Sequence, residues 1–117
     1  MEQLSSECKI NRIAWPTTIG HVITAPEEIL YCKAEGSYTR VNLVNGKELF
    51  ISYNLKKIEN TLSGLPFFRT HNSFLVNLHH VGALIRQDHE FLVEINGTFI
   101  PLAKARRKNL LERFREV

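Results

Sequence analysis

The sequence predicts a mainly β fold, a compact antiparallel sandwich-like arrangement with one short central helix and a C-terminal helix. Polar and apolar residues alternate at positions 40–43, which is the period of a strand with one buried face. Two Asn-Gly pairs, at 45–46 and 96–97, are typical of hairpin turns because both residues tolerate positive φ angles. At 55–62 the apolar residues recur at helical spacing instead.

Strands dominate the first half of the chain. A β-branched run ends at Pro26, whose missing amide hydrogen favours a tight turn there. The Glu-Gly-Ser triplet at 35–37 separates the predicted strands at 29–34 and 38–43. The Asn-Gly pair at 45–46 forms the turn that leads into the predicted strand at 48–51. The predicted strands of this half are residues 12–17, 21–24, 29–34, 38–43 and 48–51.

The second half begins with the central helix. Asn54 is placed to cap its N-terminus, and Gly64 ends it after about ten residues. One further strand is predicted to end at Asn77, and three more are predicted at residues 81–86, 91–95 and 98–102. From Ala105 onwards, apolar residues recur at helical spacing among basic ones, which predicts an amphipathic C-terminal helix.

Length and composition indicate a single globular domain, because the chain has 117 residues, of which 44% are hydrophobic and 23% charged. We expect that domain to cover residues 12–117, after a tail or linker at 1–11. The longest apolar runs, of about five residues, are too short to cross a bilayer, and residues 1–7 lack the apolar centre of a signal peptide. We therefore expect a cytoplasmic protein without membrane contact, in which Cys8 and Cys32 are reduced thiols.

Basic residues are concentrated near the C-terminus. The formal net charge is only +3, but six of the fifteen basic residues lie within residues 104–115. A basic patch attracts polyanions and binds phosphates with release of counterions, which favours nucleic acid as a partner. The solvated face of a helix would carry the same residues, so charge alone leaves both interpretations open.

The segment at 69–73 is the strongest candidate for a recognition element. Phe67 and Phe68 precede it and an apolar run at 74–76 follows it, so we expect a short polar loop pinned between two buried anchors. A loop held in this way presents its polar tips reproducibly, as recognition requires. Alternatively, Arg69 and His71 only satisfy backbone carbonyl groups beneath a buried sheet.

Polar side chains suited to DNA stand beside three breaks between predicted elements. They are Tyr38 and Arg40 after the first break, Arg69, His71 and Asn72 in the second, and Lys104, Arg106 and Arg107 after the last strand. Basic residues bind phosphates, and planar or forked polar groups bind base edges. We expect the three segments to form one edge of the sheet, since neither predicted helix suits a helix-turn-helix reader.

We expect no enzymatic activity and no cofactor. His71 and Ser73 share a strand face, but a hydrolase would also need an orienting acid and a nucleophile motif. The adjacent His79 and His80 point to opposite faces of a strand, which is poor geometry for one metal ion. The glycines are isolated, so no phosphate-binding loop is indicated.

Three blocks of the sequence resemble the LytTR DNA-binding domain of bacterial response regulators, over residues 12–115. They are residues 29–38, residues 68–77 with the pattern F-R-x-H-x-S-x-x-V-N, and the Asn-Gly pair at 96–97 followed by residues 100–104. The middle block is the most specific, and the others stand in the right order. The resemblance implies a mostly antiparallel β fold that inserts loops into successive major grooves of double-stranded DNA. It also implies two copies on a direct-repeat site, often behind a phosphorylated receiver domain in a two-component system.

Carried over by position, the DNA-facing places of the family fall on Tyr38, on Asn72 with Arg69 and His71, and on Lys104 with Arg106. Asn72 stands where an arginine is common, so a fork suited to guanine is replaced by an amide suited to adenine or to a water-bridged contact. Ala103 stands where a small hydroxyl residue is usual, which removes one phosphate contact.

These expectations lead to one main hypothesis and one alternative. The main hypothesis is the output domain of a transcription regulator that binds double-stranded DNA sequence-specifically. The alternative is a β-rich protein-interaction module that docks an acidic partner through its basic C-terminal region.

Overall fold

The structure, a computed structural model, describes residues 10–117. Within these residues the chain forms ten strands, two short helices and three 3₁₀ turns. The strands are β1 (Ile13–Thr17), β2 (Gly20–Thr24), β3 (Ile29–Glu35), β4 (Tyr38–Leu43), β5 (Glu48–Ile51), β6 (Phe67–His71), β7 (Phe74–Asn77), β8 (Val81–Gln87), β9 (Glu90–Ile95) and β10 (Thr98–Leu102). The helices are α1 (Leu55–Thr61) and α2 (Arg107–Leu111), and the 3₁₀ turns are Pro26–Glu28, Leu78–His80 and Lys104–Arg106. The predicted tail or linker at 1–11 lies almost entirely outside the described residues.

All neighbouring strands run antiparallel, so the predicted mainly β fold with a central and a C-terminal helix is confirmed. β1 and β2 form a hairpin, and a three-stranded sheet has the order β10-β9-β8. The largest sheet has the order β5-β4-β3-β7-β6. Because β7 pairs with β3, residues 29–51 and 67–77 join in one sheet.

Two hydrophobic cores lie on opposite faces of the five-stranded sheet. The first contains side chains of β1, of β3 to β5 and of α1, and the second contains side chains of β9 and β10 with Leu110 of α2. Successive strand residues divide between the cores because they point to opposite faces. Leu75 and Phe67 belong to the first core, whereas Val76 and Phe68 pack in the second. The sheet is therefore the middle layer of the molecule.

Helix α1 forms where predicted but is shorter, with seven residues instead of about ten. Its N-terminus is capped by Asn54, whose side chain accepts a hydrogen bond from the Lys57 amide at 2.9 Å. The helix ends early because the chain leaves the helical conformation at Leu62, and Gly64 then takes a φ of +87°.

The second Asn-Gly pair forms the turn that its sequence predicts. Asn96 and Gly97 have φ angles of +51° and +85°, and they connect Ile95 directly to its ladder partner Thr98. Positive φ at both central residues is the mark of a type I′ turn, whose twist matches that of the flanking strands.

The first Asn-Gly pair also lies in the predicted hairpin, but its turn is not of type I′. Gly46 has a φ of +86°, but Asn45 does not adopt a positive φ, and residues 44–47 separate the two strands. The reason is a contact outside the hairpin: the Val44 amide donates to the Glu28 carbonyl at 2.9 Å. A two-residue turn at 45–46 would pair Val44 with Lys47, but the Val44 amide is already used by Glu28.

The predicted polar loop at 69–73 is also wrong. β6 and β7 continue pairing until only Asn72 and Ser73 turn the chain. The ladder survives because its register shifts within β6, at a bulge that leaves Thr70 fully buried. The segment is therefore a two-stranded ribbon with a short tip, which is more rigid than a loop.

Asn77, at the end of β7, is a buried polar anchor. Its Nδ2 donates to the Pro26 carbonyl at 3.0 Å and to the Ile29 carbonyl at 2.9 Å, and its Oδ1 accepts from the His79 amide at 3.0 Å. These bonds tie the start of β3 to the end of β7. They therefore fix the end of the sheet that lies opposite the tip at 72–73.

The predicted C-terminal helix is confirmed, although its α-helical part begins at Arg107 instead of Ala105. The 3₁₀ turn Lys104–Arg106 leads into α2, which ends at Leu111. Leu110 is fully buried, whereas Phe114 beyond the helix remains 37% exposed. Across residues 10–117, none of the helices has the length and apolar character needed to cross a membrane.

Candidate nucleic-acid interface

Two hairpin turns lie side by side at one end of the five-stranded sheet. The turn at 36–37 joins β3 to β4, and the turn at 72–73 joins β6 to β7. The Ala34 amide donates to the Ser73 carbonyl at 2.8 Å, and Lys33 lies opposite Phe74 in the ladder. The pairing of β3 with β7 therefore brings together two turns that are far apart in sequence.

The 3₁₀ turn Lys104–Arg106 lies at the same end. The Ala103 amide donates to the Thr70 carbonyl at 2.8 Å, and Arg106 Nη1 donates to the Arg69 carbonyl at 3.0 Å. Both acceptors belong to β6, just before the turn at 72–73. We call these three segments, at 36–37, 72–73 and 104–106, the three-turn edge.

Three of the predicted site residues present their side chains to solvent at the three-turn edge. Asn72 and Lys104 are exposed, and Tyr38, the first residue after the turn at 36–37, is 38% exposed. An amide, an ammonium group and a phenol are thus available on neighbouring turns. Such groups are the kinds that bind base edges and phosphates.

Tyr38 has an aromatic neighbour that sequence analysis missed. The ring of Phe50 on β5 lies 5.7 Å from the Tyr38 ring, with the planes tilted by 60°, which is a favourable aromatic geometry. In the β4–β5 ladder Phe50 is opposite Arg40. That register depends on the unexpected connection at 44–47, so the sequence could not pair the two rings.

Arg40 is held on the surface of the sheet by two carboxylates. Its guanidinium forms ion pairs with Glu35 and, at 3.3 Å, with Glu48. Within the described part of the chain its Nε is buried without a hydrogen-bond partner. Burial raises the pKa of the neighbouring Tyr31, and the positive charge of Arg40 opposes that rise. These pairs compete with any phosphate for the Arg40 charge.

Arg69 lies against the β6–β7 ribbon. Its Nε donates to the His71 carbonyl at 3.1 Å, its Nη2 to the Asn72 carbonyl at 2.6 Å, and its Nη1 to Glu59 Oε1 at 2.7 Å. Only 18% of the Arg69 side chain is exposed. The geometry matches the alternative in which Arg69 satisfies backbone carbonyl groups, and it brings DNA contact no direct support.

His71 also has a contact within the turn. Its Nδ1 accepts a hydrogen bond from the Ser73 amide at 3.1 Å, which requires that Nδ1 carries no hydrogen. The ring edge packs against Phe74, with ring centres 6.2 Å apart. The contact between His71 and Ser73 uses the serine backbone, so it shapes the turn.

The basic C-terminal segment is used partly for packing. Arg106 reaches the Arg69 carbonyl, as described above, and the Arg107 guanidinium lies 5.0 Å from the centre of the Phe91 ring. A cation over an aromatic face is a stabilising contact. This segment is therefore attached through its arginines to the five-stranded and the three-stranded sheets, while Lys104 stays exposed.

The two adjacent histidines lie at the other end of the sheet. His80 Nε2 is 2.7 Å from the Glu27 carbonyl, beside the bonds made by Asn77. No three His, Cys, Asp or Glu side chains in residues 10–117 are grouped so as to hold a metal ion.

Glu59 is the second residue at this site that sequence analysis missed. It lies in the last turn of α1, ten residues before its partner Arg69. No strand or helix period relates two such positions, so only the folded chain reveals the pair. The one local signal is an acidic residue near a helix C-terminus, where the helix dipole favours cations.

The comparisons with known proteins identify the family. The sequence profile of the LytTr DNA-binding domain matches residues 20–115. The sensory transduction protein LytT of Oceanobacillus iheyensis is 33% identical over 57 residues, which are 49% of this chain and 23% of LytT. The match therefore spans less than a quarter of that relative.

A solved structure has the same fold. It is the LytTr DNA-binding domain of a putative methyl-accepting/DNA response regulator from Bacillus cereus, and it superposes with a TM-score of 0.74 over 89% of this chain and 96% of that one. At 24% identity this likeness concerns the fold alone. The family match over residues 20–115 covers most of the chain, and the chain belongs to the LytTr DNA-binding domain family.

Proposed function

We propose that this domain binds double-stranded DNA sequence-specifically and serves as the output domain of a transcription regulator. The observation that carries the proposal is the three-turn edge, where separate segments place Tyr38, Asn72 and Lys104 at one end of a rigid sheet. Family membership supports DNA as the class of ligand. The geometry supports this edge as the surface that binds it.

The β6–β7 ribbon is the part of the edge best suited to the major groove. That groove, about 12 Å wide, admits a two-stranded β ribbon, and the tip of this ribbon has only two residues. In the proposal the exposed Asn72 amide reads a base edge, with adenine as the preferred partner because an amide can both accept from N6 and donate to N7. Lys104 on the neighbouring turn binds a phosphate, and Tyr38 contacts the DNA on the other side.

The remaining predicted site residues have a different part in the proposal. Arg40, Arg69, His71 and Arg106 all make contacts inside the protein, so in the proposal they build the edge. The carboxylates paired with Arg40 and Arg69 compensate the charges of these two residues. Positive potential, which raises the local concentration of DNA without selecting a sequence, comes instead from exposed basic residues such as Lys104 and Lys108.

We further propose that two copies bind a direct repeat. One three-turn edge covers a short site, and two linked sites multiply affinity through effective concentration. LytT is named a sensory transduction protein, and the Bacillus cereus domain comes from a response regulator. An upstream receiver domain and a cytoplasmic location therefore belong to the proposal.

Fluorescence anisotropy with labelled duplexes tests the proposed function. We expect binding whose logarithmic affinity falls linearly with the logarithm of salt concentration, with a slope of about −0.9 for each phosphate contact. Binding that is absent or insensitive to salt would contradict the proposal. Polyglutamate, titrated in parallel, tests the alternative of an acidic protein partner. If that alternative is right, the domain binds polyglutamate at least as tightly as it binds DNA.

A further inference from the structure

Three successive carbonyl groups around the tip of the β6–β7 ribbon each accept a hydrogen bond from outside the turn. The His71 and Asn72 carbonyls accept from Arg69, at 3.1 and 2.6 Å. The Ser73 carbonyl accepts from the Ala34 amide at 2.8 Å. The backbone of the tip is therefore held on both sides, and the exposed Asn72 side chain is left free of this bracing.

The Arg69 guanidinium can brace the tip only if its plane is fixed, and Glu59 fixes it. Glu59 Oε1 accepts from Nη1 at 2.7 Å, a charge-assisted hydrogen bond that is directional as well as strong. Each nitrogen of the guanidinium thus donates within the protein. Since Glu59 belongs to α1, whose apolar face packs in the first core, the tip is tied to a rigid element outside its own sheet.

The location of Glu59 has no explanation in the stability of α1 itself. The C-terminal turn of a helix carries a partial negative charge, so an acidic side chain there is unfavourable for the helix. A residue that breaks a local rule is expected at positions that serve a function.

We propose that Glu59 is a positioning residue for DNA recognition, acting through Arg69 to fix the backbone that carries Asn72. The DNA part of this inference rests on the proposed function, whereas the ordering of the tip does not. This role is unusual for an acidic residue in a DNA-binding domain, because its negative charge repels DNA. Removing a negative charge from a DNA-binding domain should strengthen binding to every sequence, yet removing this one should weaken discrimination between sequences.

The first test measures the ordering of the tip in the free protein. Hydrogen exchange of the Ser73 and Ala34 amides is followed by NMR in the wild type and in Glu59→Gln and Arg69→Lys. We expect exchange of both amides to become about two- to fivefold faster in either variant. This is the size of effect that the loss of a partly exposed ion pair has on local stability. Glu27→Gln is the matched control, because it removes one negative charge at the opposite end of the sheet, and it should leave both rates unchanged.

The second test compares affinity for a selected duplex and a scrambled duplex. We expect Glu59→Gln to lower the ratio of the two affinities about tenfold, because Asn72 would no longer be held in position to contact its base. Glu27→Gln should raise both affinities equally. The double variant Glu59→Gln/Arg69→Lys should discriminate no worse than either single variant, because both changes break the same link. Glu59→Asp, which keeps the charge, should restore part of the ratio.

Several outcomes would overturn the proposal. One is unchanged amide exchange in Glu59→Gln. Another is a Glu59→Gln variant that binds both duplexes more tightly and equally, as the control does. A third is loss of discrimination in Arg69→Lys but not in Glu59→Gln, which would make Arg69 a direct DNA contact. If the wild type itself binds no duplex, the proposed function fails, and the exchange rates still decide whether Glu59 orders the tip.

Discussion

The amide of Ala34 donates a hydrogen bond of 2.8 Å to the carbonyl of Ser73 and so joins two hairpins at their tips. Because of this bond, the positions of Tyr38 and Asn72 are related through strand pairing. Side chains held by a sheet keep their spacing as long as the sheet stays folded, whereas a loop can unfold locally at a small cost in free energy. The surface proposed to bind DNA is therefore as rigid as the strands that carry it.

Replacement of Lys104 by alanine should weaken binding to all duplexes by a similar factor. The side chain is exposed at the three-turn edge, where an ammonium group binds phosphate without reading sequence. The salt slope should become about one unit shallower, which anisotropy titrations at several salt concentrations measure. Lys47→Ala, in the connection at the opposite end of the sheet, is the control; it should lower affinity less than Lys104→Ala, through the change in net charge alone, and should keep the wild-type salt slope. An equal loss in both variants would indicate a nonspecific charge effect.

Replacement of Asn72 by alanine should reduce preference between sequences while leaving binding to scrambled DNA nearly unchanged. A good side-chain contact with a base edge contributes about 1–3 kcal/mol of discrimination against the wrong base. The measurement is the ratio of affinities for the selected duplex and for duplexes changed at one base pair. If the variant loses affinity equally on every duplex, Asn72 does not read a base.

Replacement of Asn77 by aspartate should destabilise the fold more than replacement by alanine. Asn77 Nδ2 donates to the Pro26 and Ile29 carbonyls, and a carboxylate there would face both oxygens without a donor. We expect a loss of about 3–5 kcal/mol in the free energy of unfolding at neutral pH, against about 1–3 kcal/mol for alanine. Urea denaturation measures both. The difference should shrink at acidic pH, where the new carboxyl group is neutral; a difference independent of pH would contradict this explanation.

Cys32 should make the fold less stable at alkaline pH. The thiol is fully buried, and burial raises its pKa from 9.0 to about 12. Between these values the unfolded chain has lost the thiol proton and the folded chain keeps it, so the free energy of unfolding falls as pH rises. The slope is at most about 1.4 kcal/mol per pH unit, and below pH 9 the contribution is constant.

The comparison of Cys8→Ser with Cys8→Ser/Cys32→Ala isolates this effect, since Cys32 is then the sole thiol in the first variant. Denaturation across about pH 8 to about pH 11 should show the extra slope only where Cys32 is present. Equal slopes in the two variants would mean that the thiol titrates normally in the folded protein.

Local patterns in the sequence predicted most elements of the fold. Positive φ at Asn96 and Gly97 is a property of those two residues, so the turn followed from them directly. The cap at Asn54 is equally local. By contrast, the turn at Gly46 depends on a hydrogen bond between Val44 and Glu28, which lies outside the hairpin. Such contacts leave no periodic signal in the sequence.

The same distinction applies to the site. The residue types at Tyr38, Asn72 and Lys104 indicated groups suited to DNA, and the folded chain brings their segments together. The residue type of Arg69 could not show that its three nitrogens already donate within the protein. Glu59 carried no indication of its partner, because the pair forms only when α1 packs beside β6.

Selection of bound duplexes from a random pool asks directly whether the three-turn edge reads DNA sequence. We expect an enriched motif, repeated at about one helical turn, or about 10–10.5 base pairs. We also expect the selected duplex to bind at least about 1,000-fold more tightly than scrambled DNA. A selected pool with no enriched motif, which binds no better than the starting pool, would contradict the claim that the three-turn edge reads DNA sequence.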